Sequence, residues 1–237
     1  MLQQFTLFNG VLEELPPSKR LITTLNAHSF NRVKRDPAFH EALQASDLLL
    51  PDGISVVWAV RLLYGKKIKK IAGDDLFHFE MQRVNRKKGK CFFLGSSEKT
   101  LGMIEERARR EFPDLQVYSY SPPYKSEFTE GENRAMIEAV NQIEPDVLFV
   151  GMTAPKQEKW AHTHFNRLKA EHICCIGAVF DFYAGTVQRA PAWMISVGME
   201  WSYRLIREPR RMWKRYLIGN TLFVLEILKE KFNGQQK

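Results

Sequence analysis

The stretch Gly151–Trp160, GMTAPKQEKW, decides how this chain is read. Before it, Pro145–Val150 (PDVLFV) is a short run of apolar and β-branched residues, the pattern of a buried strand. After it, Gln157–Leu168 reads as a helix. The loop between them carries Gly151, Thr153 and Pro155, and a first helical turn tolerates proline. Strand, glycine loop and helix in that order form the unit of an open α/β sheet, whose ligands sit in the crevice at the strand ends. A glycine there lets backbone N–H groups approach a ligand closely, and a helix N-terminus favours an anion such as a phosphate.

The same unit recurs on both sides. Arg20–Thr24 reads as the first core strand and leads into Leu25-Asn26-Ala27-His28. Thr24 and Asn26 then either line a site or cap a helix, since both residue types favour caps. Asp36 and Pro37 open a helix to Ala45, Leu48–Leu50 is a second short strand, and Ile54–Tyr64 is a mostly apolar helix. Asp52 lies between that strand and that helix. It is either the helix N-cap or a carboxylate projecting into the crevice as a general base. Lys66–Lys70 is a basic loop, and Gly73-Asp74-Asp75 starts a helix to about Lys87. Lys90–Leu94 is a strand ending in Gly95-Ser96-Ser97, with a helix following to Glu111; this is neither a GxGxxG nor a Walker loop. Gln116–Tyr120 is the next strand. The rigid loop Pro122-Pro123-Tyr124 offers Tyr124 for stacking on a base or for packing. Gly131–Ile143 is a helix, and His172–Ile176 is a last strand that leads to Asp181. About six strands alternating with helices predict an α/β fold, a Rossmann-like, mostly parallel sheet flanked by helices.

From Pro191 onward strand signals cease, so residues 1–192 are expected to form the sheet domain and 193–237 a basic, amphipathic helical appendage. Met194–Arg207 reads as one helix, broken at Pro209, and Arg210–Phe232 as another. Residues Ser202–Gly219 hold six basic side chains, Arg204, Arg207, Arg210, Arg211, Lys214 and Arg215, against the single acid Glu208. Much of the chain's net charge of +8 is therefore local, which suggests an anionic partner or else a solvated helix face. Basic residues mixed with Trp213, Tyr216 and several leucines suit either a membrane surface or packing on the main domain. Deletion after about Pro191 is expected to leave a folded but nearly inactive domain. The three cysteines, Cys91, Cys174 and Cys175, lie in apolar runs without CxxC spacing, so neither a zinc site nor a disulfide framework is read. The start, MLQQFTLFNG, does not have the pattern of a signal peptide, and no apolar run is long enough to span a bilayer.

Six stretches carry more than their patterns: TTLNAHSF, LLLPDGISVVW, FFLGSSEKT, GMTAPKQEKW, GAVFDFYAGTVQRAP and GMEWSYRLIREPRRMWKRY. In this order they closely resemble the signature segments of the bacterial WecG/TagA/CpsF glycosyltransferase family, across roughly residues 20 to 218. The resemblance implies an inverting, metal-independent enzyme without a cofactor. It would move a sugar, most commonly N-acetylmannosamine, from a UDP-sugar to a polyprenyl-diphosphate-linked acceptor sugar. Such a reaction serves cell-surface polysaccharide or teichoic acid synthesis on the cytoplasmic face of the membrane. Glucose, glucuronate or N-acetylglucosamine donors are the alternatives within the family. The resemblance further implies Asp52 as general base, with Thr24 and Asn26 lining its pocket and Gln157, the glutamine of the PKQE segment, as a further catalytic residue. Leu25 stands where several members have proline. Gly95, Gly151, Asp181 and Tyr124 are the residues expected around the donor, and Arg207, Arg210 and Arg211 around diphosphate and acceptor. The expected partners are the two substrates and an anionic membrane surface, with no nucleic acid; whether the chain forms a homo-oligomer stays open. The chain holds no Asp-x-Asp motif of metal-dependent transferases, and arginines can replace a metal at a leaving diphosphate. The competing reading is a non-catalytic nucleotide- or nucleic-acid-binding module. Only the basic tail supports it, with no helix-turn-helix or RNP-type pattern beside it.

Overall fold

The computed structural model describes residues 2–15 and 18–234; the Pro16-Pro17 break lies outside them. Six strands, β1 (Arg20–Leu25), β2 (Leu48–Pro51), β3 (Lys90–Gly95), β4 (Gln116–Tyr120), β5 (Val147–Gly151) and β6 (His172–Cys175), form one sheet in the order β2-β1-β6-β5-β3-β4. Every neighbouring pair is parallel. Near-continuous apolar runs such as Leu48-Leu49-Leu50 are what a sheet covered on both faces requires.

The connections are helical. α1 (Ala27–Val33) and α2 (Pro37–Gln44) follow β1, and α3 (Ile54–Tyr64) and α4 (Gly73–Arg86) follow β2. α5 (Glu98–Glu111), α6 (Glu130–Ile143), α7 (Lys156–His164) and α8 (Val179–Ala184) follow β3, β4, β5 and β6 in turn. The chain continues through α9 (Ala192–Ser196), α10 (Glu200–Arg207), α11 (Pro209–Trp213), a π-helical turn over Lys214–Ile218, and α12 (Gly219–Gly234). The single helix expected over Met194–Arg207 is thus two. Gly198, with φ of +76°, turns the chain between them. The residues Val179–Ala184 around Asp181 form the short α8.

Alternation along the strands sorts the core into two faces. Ile22, Phe93, Phe149 and Cys174 meet Phe77, Met81, Ile104 and Phe180 from α4, α5 and α8. Leu21, Phe92, Leu148 and Ile173 meet Ile137, Val140, Trp160 and Ala161 from α6 and α7. α5 and α7 therefore cover opposite faces. The chain leaves β3 outward to β4 through α5, and leaves β5 the other way to β6 through α7. The point between β3 and β5 is where the winding reverses, and its crevice at the carboxyl ends is the ligand position of such sheets.

The appendage is no loose tail. Phe223 and Ile227 of α12 are buried in a cluster with Leu25, Phe30, Val33, Val56 and Val60. The Phe223 ring meets Phe30 edge-on at 5.1 Å. Asn31 Nδ2 donates to the Gly219 carbonyl at 2.7 Å, Lys34 pairs with Glu226 at 2.6 Å, and the backbone N–H of Leu2 donates to Glu230 at 2.9 Å. A cut after Pro191 would expose the apolar surfaces of α1 and α3. The expectation of a folded truncated domain is replaced by one of a damaged core.

Candidate active site

The ends of β1 and β2 bring the first candidates together. The N–H of Asp52 donates to the Leu25 carbonyl at 2.9 Å, tying the two strand ends. Gly53, not Asp52, occupies the N-cap position of α3, and it makes no side-chain cap. The Asp52 carboxylate is free of the capping role and instead accepts from Asn26 Nδ2 at 3.2 Å. Asn26 does both jobs left open by its sequence position. Its Oδ1 caps α1 by accepting from the Ser29 N–H at 3.0 Å, while its Nδ2 holds Asp52. Thr24 precedes them on β1, opposite Leu50, and is half-buried without a side-chain partner among the described residues.

Burial pushes the Asp52 carboxyl above the ordinary carboxylate range, against the hydrogen bond from Asn26; nearby Glu200 adds to the rise, while Arg215 and Lys70 oppose it. A carboxylate so placed is a stronger base than a solvated one. Glu200 and Arg215 both come from the appendage, which closes over this end of the sheet. Arg189 anchors Glu200 at 3.4 Å and also pairs with Asp74 at the start of α4. His28, also beside Arg215, is pushed down to about 4 by burial first, then by Arg215 and Arg32, so its imidazole is neutral.

The three expected arginines all lie at the surface. Arg207 is exposed and donates to Gln188 at 3.0 Å, Arg211 is exposed and paired with Glu208 at 2.8 Å, and Arg210 is exposed. The arginine near Asp52 is Arg215, which acts on it together with Lys70. It is half-buried, has no ion pair or side-chain hydrogen bond among the described residues, and is lowered by burial and by the charges of Arg204 and Arg211. Arg204 lies 5.3 Å over the Phe182 ring, and its buried Nε has no partner among the described residues. Guanidiniums crowded together with donors unused are suited to an anion with several oxygens. Sequence spacing does not group them: Arg204 lies on α10, and the break at Glu208 separates it from Arg211 on α11 and Arg215 on the π-helical turn.

At the winding reversal, Gly95 and Gly151 are register partners. Gly95 has φ of +123°, and a Cβ there would fall on the Gly151 carbonyl; a Cβ on Gly151 would strike the Phe180 ring. Only glycine fits either position, and the floor of the crevice is bare backbone. Ser97 caps α5 beside it by accepting from the Thr100 N–H. Gln157 is buried behind the loop: its Oε1 accepts from the Met152 N–H at 3.2 Å, and its Nε2 donates to Glu158 at 2.8 Å. Gln157 thus braces the loop from within. Glu158, which no sequence signal singled out, is buried with Oε2 unpartnered among the described residues, and burial raises its carboxyl to about 7. Asp181 sits on α8, half-buried, and its backbone carbonyl accepts from Val187 N–H and Thr186 Oγ1. Tyr124 stands fully exposed in the loop after β4, with no ring partner among the described residues, so the structure does not bring it to the others. Among the described residues no three His, Cys, Asp or Glu side chains group as a metal site. The cysteines are free and buried.

Comparison with known proteins gives the family. The profile described as "Glycosyl transferase WecG/TagA/CpsF family" matches residues 4–237. The chain belongs to that family. Among the relatives of this glycosyltransferase is a protein of Bacillus subtilis (strain 168), 32% identical over 90% of this chain and 80% of its own length. Another, from Bacillus spizizenii, is 31% identical over 89% and 79%, and one from Staphylococcus aureus (strain MW2) is 26% identical over 89% and 80%. Each is named N-acetylglucosaminyldiphosphoundecaprenol N-acetyl-beta-D-mannosaminyltransferase.

Proposed function

We propose that this glycosyltransferase moves an N-acetylmannosaminyl group from a UDP-sugar to an N-acetylglucosaminyl-diphosphate carried on a polyprenyl lipid, at the cytoplasmic membrane face. The observation that carries the reading is the Asp52 pocket. Its carboxylate is held by Asn26, raised by burial, and faced by an unpaired arginine from the appendage. The relatives' names support the acceptor and the sugar. UDP as the carrier follows from the transferase class.

The sheet order supports the pose. β2, which ends just before Asp52, and β5, which ends at Gly151, are three positions apart. At about 4.8 Å per neighbour that is about 14 Å, a span suited to an extended nucleotide sugar. The nucleotide diphosphate would lie over the Gly95–Gly151 floor, with Asp181 on the neighbouring α8. The sugar would reach toward Thr24, Asn26 and Asp52. Asp52 takes the proton of the acceptor hydroxyl as that oxygen bonds to the anomeric carbon. The bond from that carbon to the UDP oxygen breaks, and the electron pair leaves with UDP. Arg204 and Arg215 stabilise diphosphate charge, on the leaving group or the acceptor, at a site that burial makes poorly screened. Among the described residues no helix is long and apolar enough to cross a membrane. Contact with the lipid-linked acceptor would use exposed apolar and basic side chains at the surface, those of the appendage among them.

The test is UDP release from a panel of UDP-sugars, with and without a short-chain lipid-diphosphate-N-acetylglucosamine, in EDTA. Acceptor-dependent release from UDP-N-acetylmannosamine is expected. Release from a different donor alone would overturn the sugar. Release that requires added divalent cation would overturn metal independence.

A further inference from the structure

We infer that α3 and the lysine loop after it form a second membrane-contact element, continuous with the exposed apolar side chains of the appendage, that seats the enzyme on anionic lipid beside the Asp52 pocket. This deepens the proposed function and rests on its lipid-linked acceptor. α3 buries Val56, Ala59 and Val60 toward α1 and α12. Its opposite side carries Ile54, Trp58, Arg61 and Leu62, three or four residues apart and so on one helical stripe. That stripe is open: Trp58 is 63% exposed, and Ile54 and Leu62 are exposed as well. A tryptophan so exposed beside two aliphatic side chains is unusual on a surface meant for water alone. The stripe also continues beyond α3. Gly198 packs on the Ile54 side chain, and next to it lie the exposed Val197 and Trp193 of the appendage.

The charge around this strip says what covers it. Gly65, in a left-handed conformation, ends α3 and turns the chain into Lys66-Lys67-Ile68-Lys69-Lys70. Lys66, Lys67 and Lys69 are exposed, and among the described residues none has a carboxylate partner. Unpaired lysines beside an apolar strip complement anionic headgroups over acyl chains, the geometry of an interfacial helix. The same charges, doubled across a two-fold axis, oppose pairing with a second copy. Lys70 at the end of the loop is close enough to Asp52 to lower its pKa. The loop thus connects the lipid surface to the pocket edge, where a lipid-borne diphosphate would arrive.

The experiment is co-sedimentation with vesicles of phosphatidylcholine plus phosphatidylglycerol, and with phosphatidylcholine alone. It compares the full chain with the triple variant Lys66→Gln, Lys67→Gln, Lys69→Gln and with Trp58→Ser. Each lysine near an anionic surface is worth about a fivefold change in partition, so the triple variant should bind anionic vesicles on the order of a hundredfold more weakly. Trp58→Ser should weaken binding to both vesicle types. Matching melting temperatures and UDP release with a short-chain acceptor check that the variants are folded. If both variants bind like the unaltered chain, the appendage alone carries the contact and this inference fails while the transferase reading stands. If the unaltered chain turns over the short-chain acceptor but ignores anionic vesicles, the inference fails again. If Trp58→Ser converts a dimer to a monomer in sedimentation velocity with vesicle binding unchanged, the strip belongs to a second copy and the inference is overturned. Absence of UDP release from the unaltered chain would instead strike at the transferase reading.

Discussion

Replacing Phe223 by alanine should loosen the appendage and the sheet domain together. Phe223 is 2% exposed and meets Phe30 of α1 edge-on, within the cluster that also holds Leu25, the residue just before Asn26. Removing a buried phenylalanine side chain costs about 3–5 kcal/mol through lost transfer energy and the cavity left behind. Against a total stability of about 5–15 kcal/mol, that is a large share. For a chain of this length each kcal/mol moves the melting temperature by about 2–4 °C, so a fall of roughly 6–20 °C is expected. Differential scanning calorimetry or thermal circular dichroism measures it. Well below the transition the folded fraction should keep most of its UDP-releasing activity, since Phe223 touches no group proposed to meet substrate. A fall of less than about 2 °C would mean that α12 contributes little to the core. The truncation after Pro191 would then be expected to fold after all.

Three further outcomes follow from the electrostatics and the crevice floor. Arg215 holds the Asp52 pKa down and Glu200 pushes it up. Arg215→Gln should therefore move the acidic limb of the kcat/KM pH profile upward and Glu200→Gln should move it downward; unmoved limbs would separate Asp52 from the appendage. Burial raises Glu158 from an ordinary 4.5 to about 7, so it is protonated when folded at pH values where the unfolded chain has already ionised. The stability penalty is absent below about 4.5, grows as pH rises toward 7, and reaches on the order of 3 kcal/mol above it. Glu158→Gln should flatten that fall in melting temperature, and a parallel pH dependence in both proteins would contradict the assignment. Gly95→Ala would put a methyl group on the Gly151 carbonyl at a positive φ, costing about 1–3 kcal/mol and weakening UDP binding measured by calorimetry. Unchanged UDP affinity would detach the glycine pair from the donor.

The sheet was legible because its strands are short, buried and separated by helical patterns. Ile54–Tyr64 and Gln116–Tyr120 fall at the ends expected from local pattern alone. Strand order was not legible, because it depends on crossovers between faces; it is what pairs Gly95 with Gly151. The position of Asp52 was legible, but the choice between cap and crevice required the Gly53 cap and the Asn26 bond. Among the arginines, the EPRR words drew attention to exposed residues. Arg215 comes to Asp52 only because α10, α11 and the π-helical turn wrap back over the sheet end, a tertiary fact. Glu158 sits beside a recognised glutamine, and only its burial distinguishes it. The fit of α12 was obscured by its mixed surface, since Phe223 and Ile227 are buried while Leu222, Val224 and Leu225 beside them are exposed.

The most direct test of the central claim is the turnover number of Asp52→Asn beside its affinity for UDP. The amide is nearly isosteric and its carbonyl can still accept from Asn26, so folding and UDP binding should persist. Loss of the base should lower kcat by about 10²- to 10⁴-fold, with UDP affinity and melting temperature close to those of the unaltered chain. Turnover within a few-fold of normal would show that another group takes the acceptor proton, and would remove Asp52 from the centre of the mechanism.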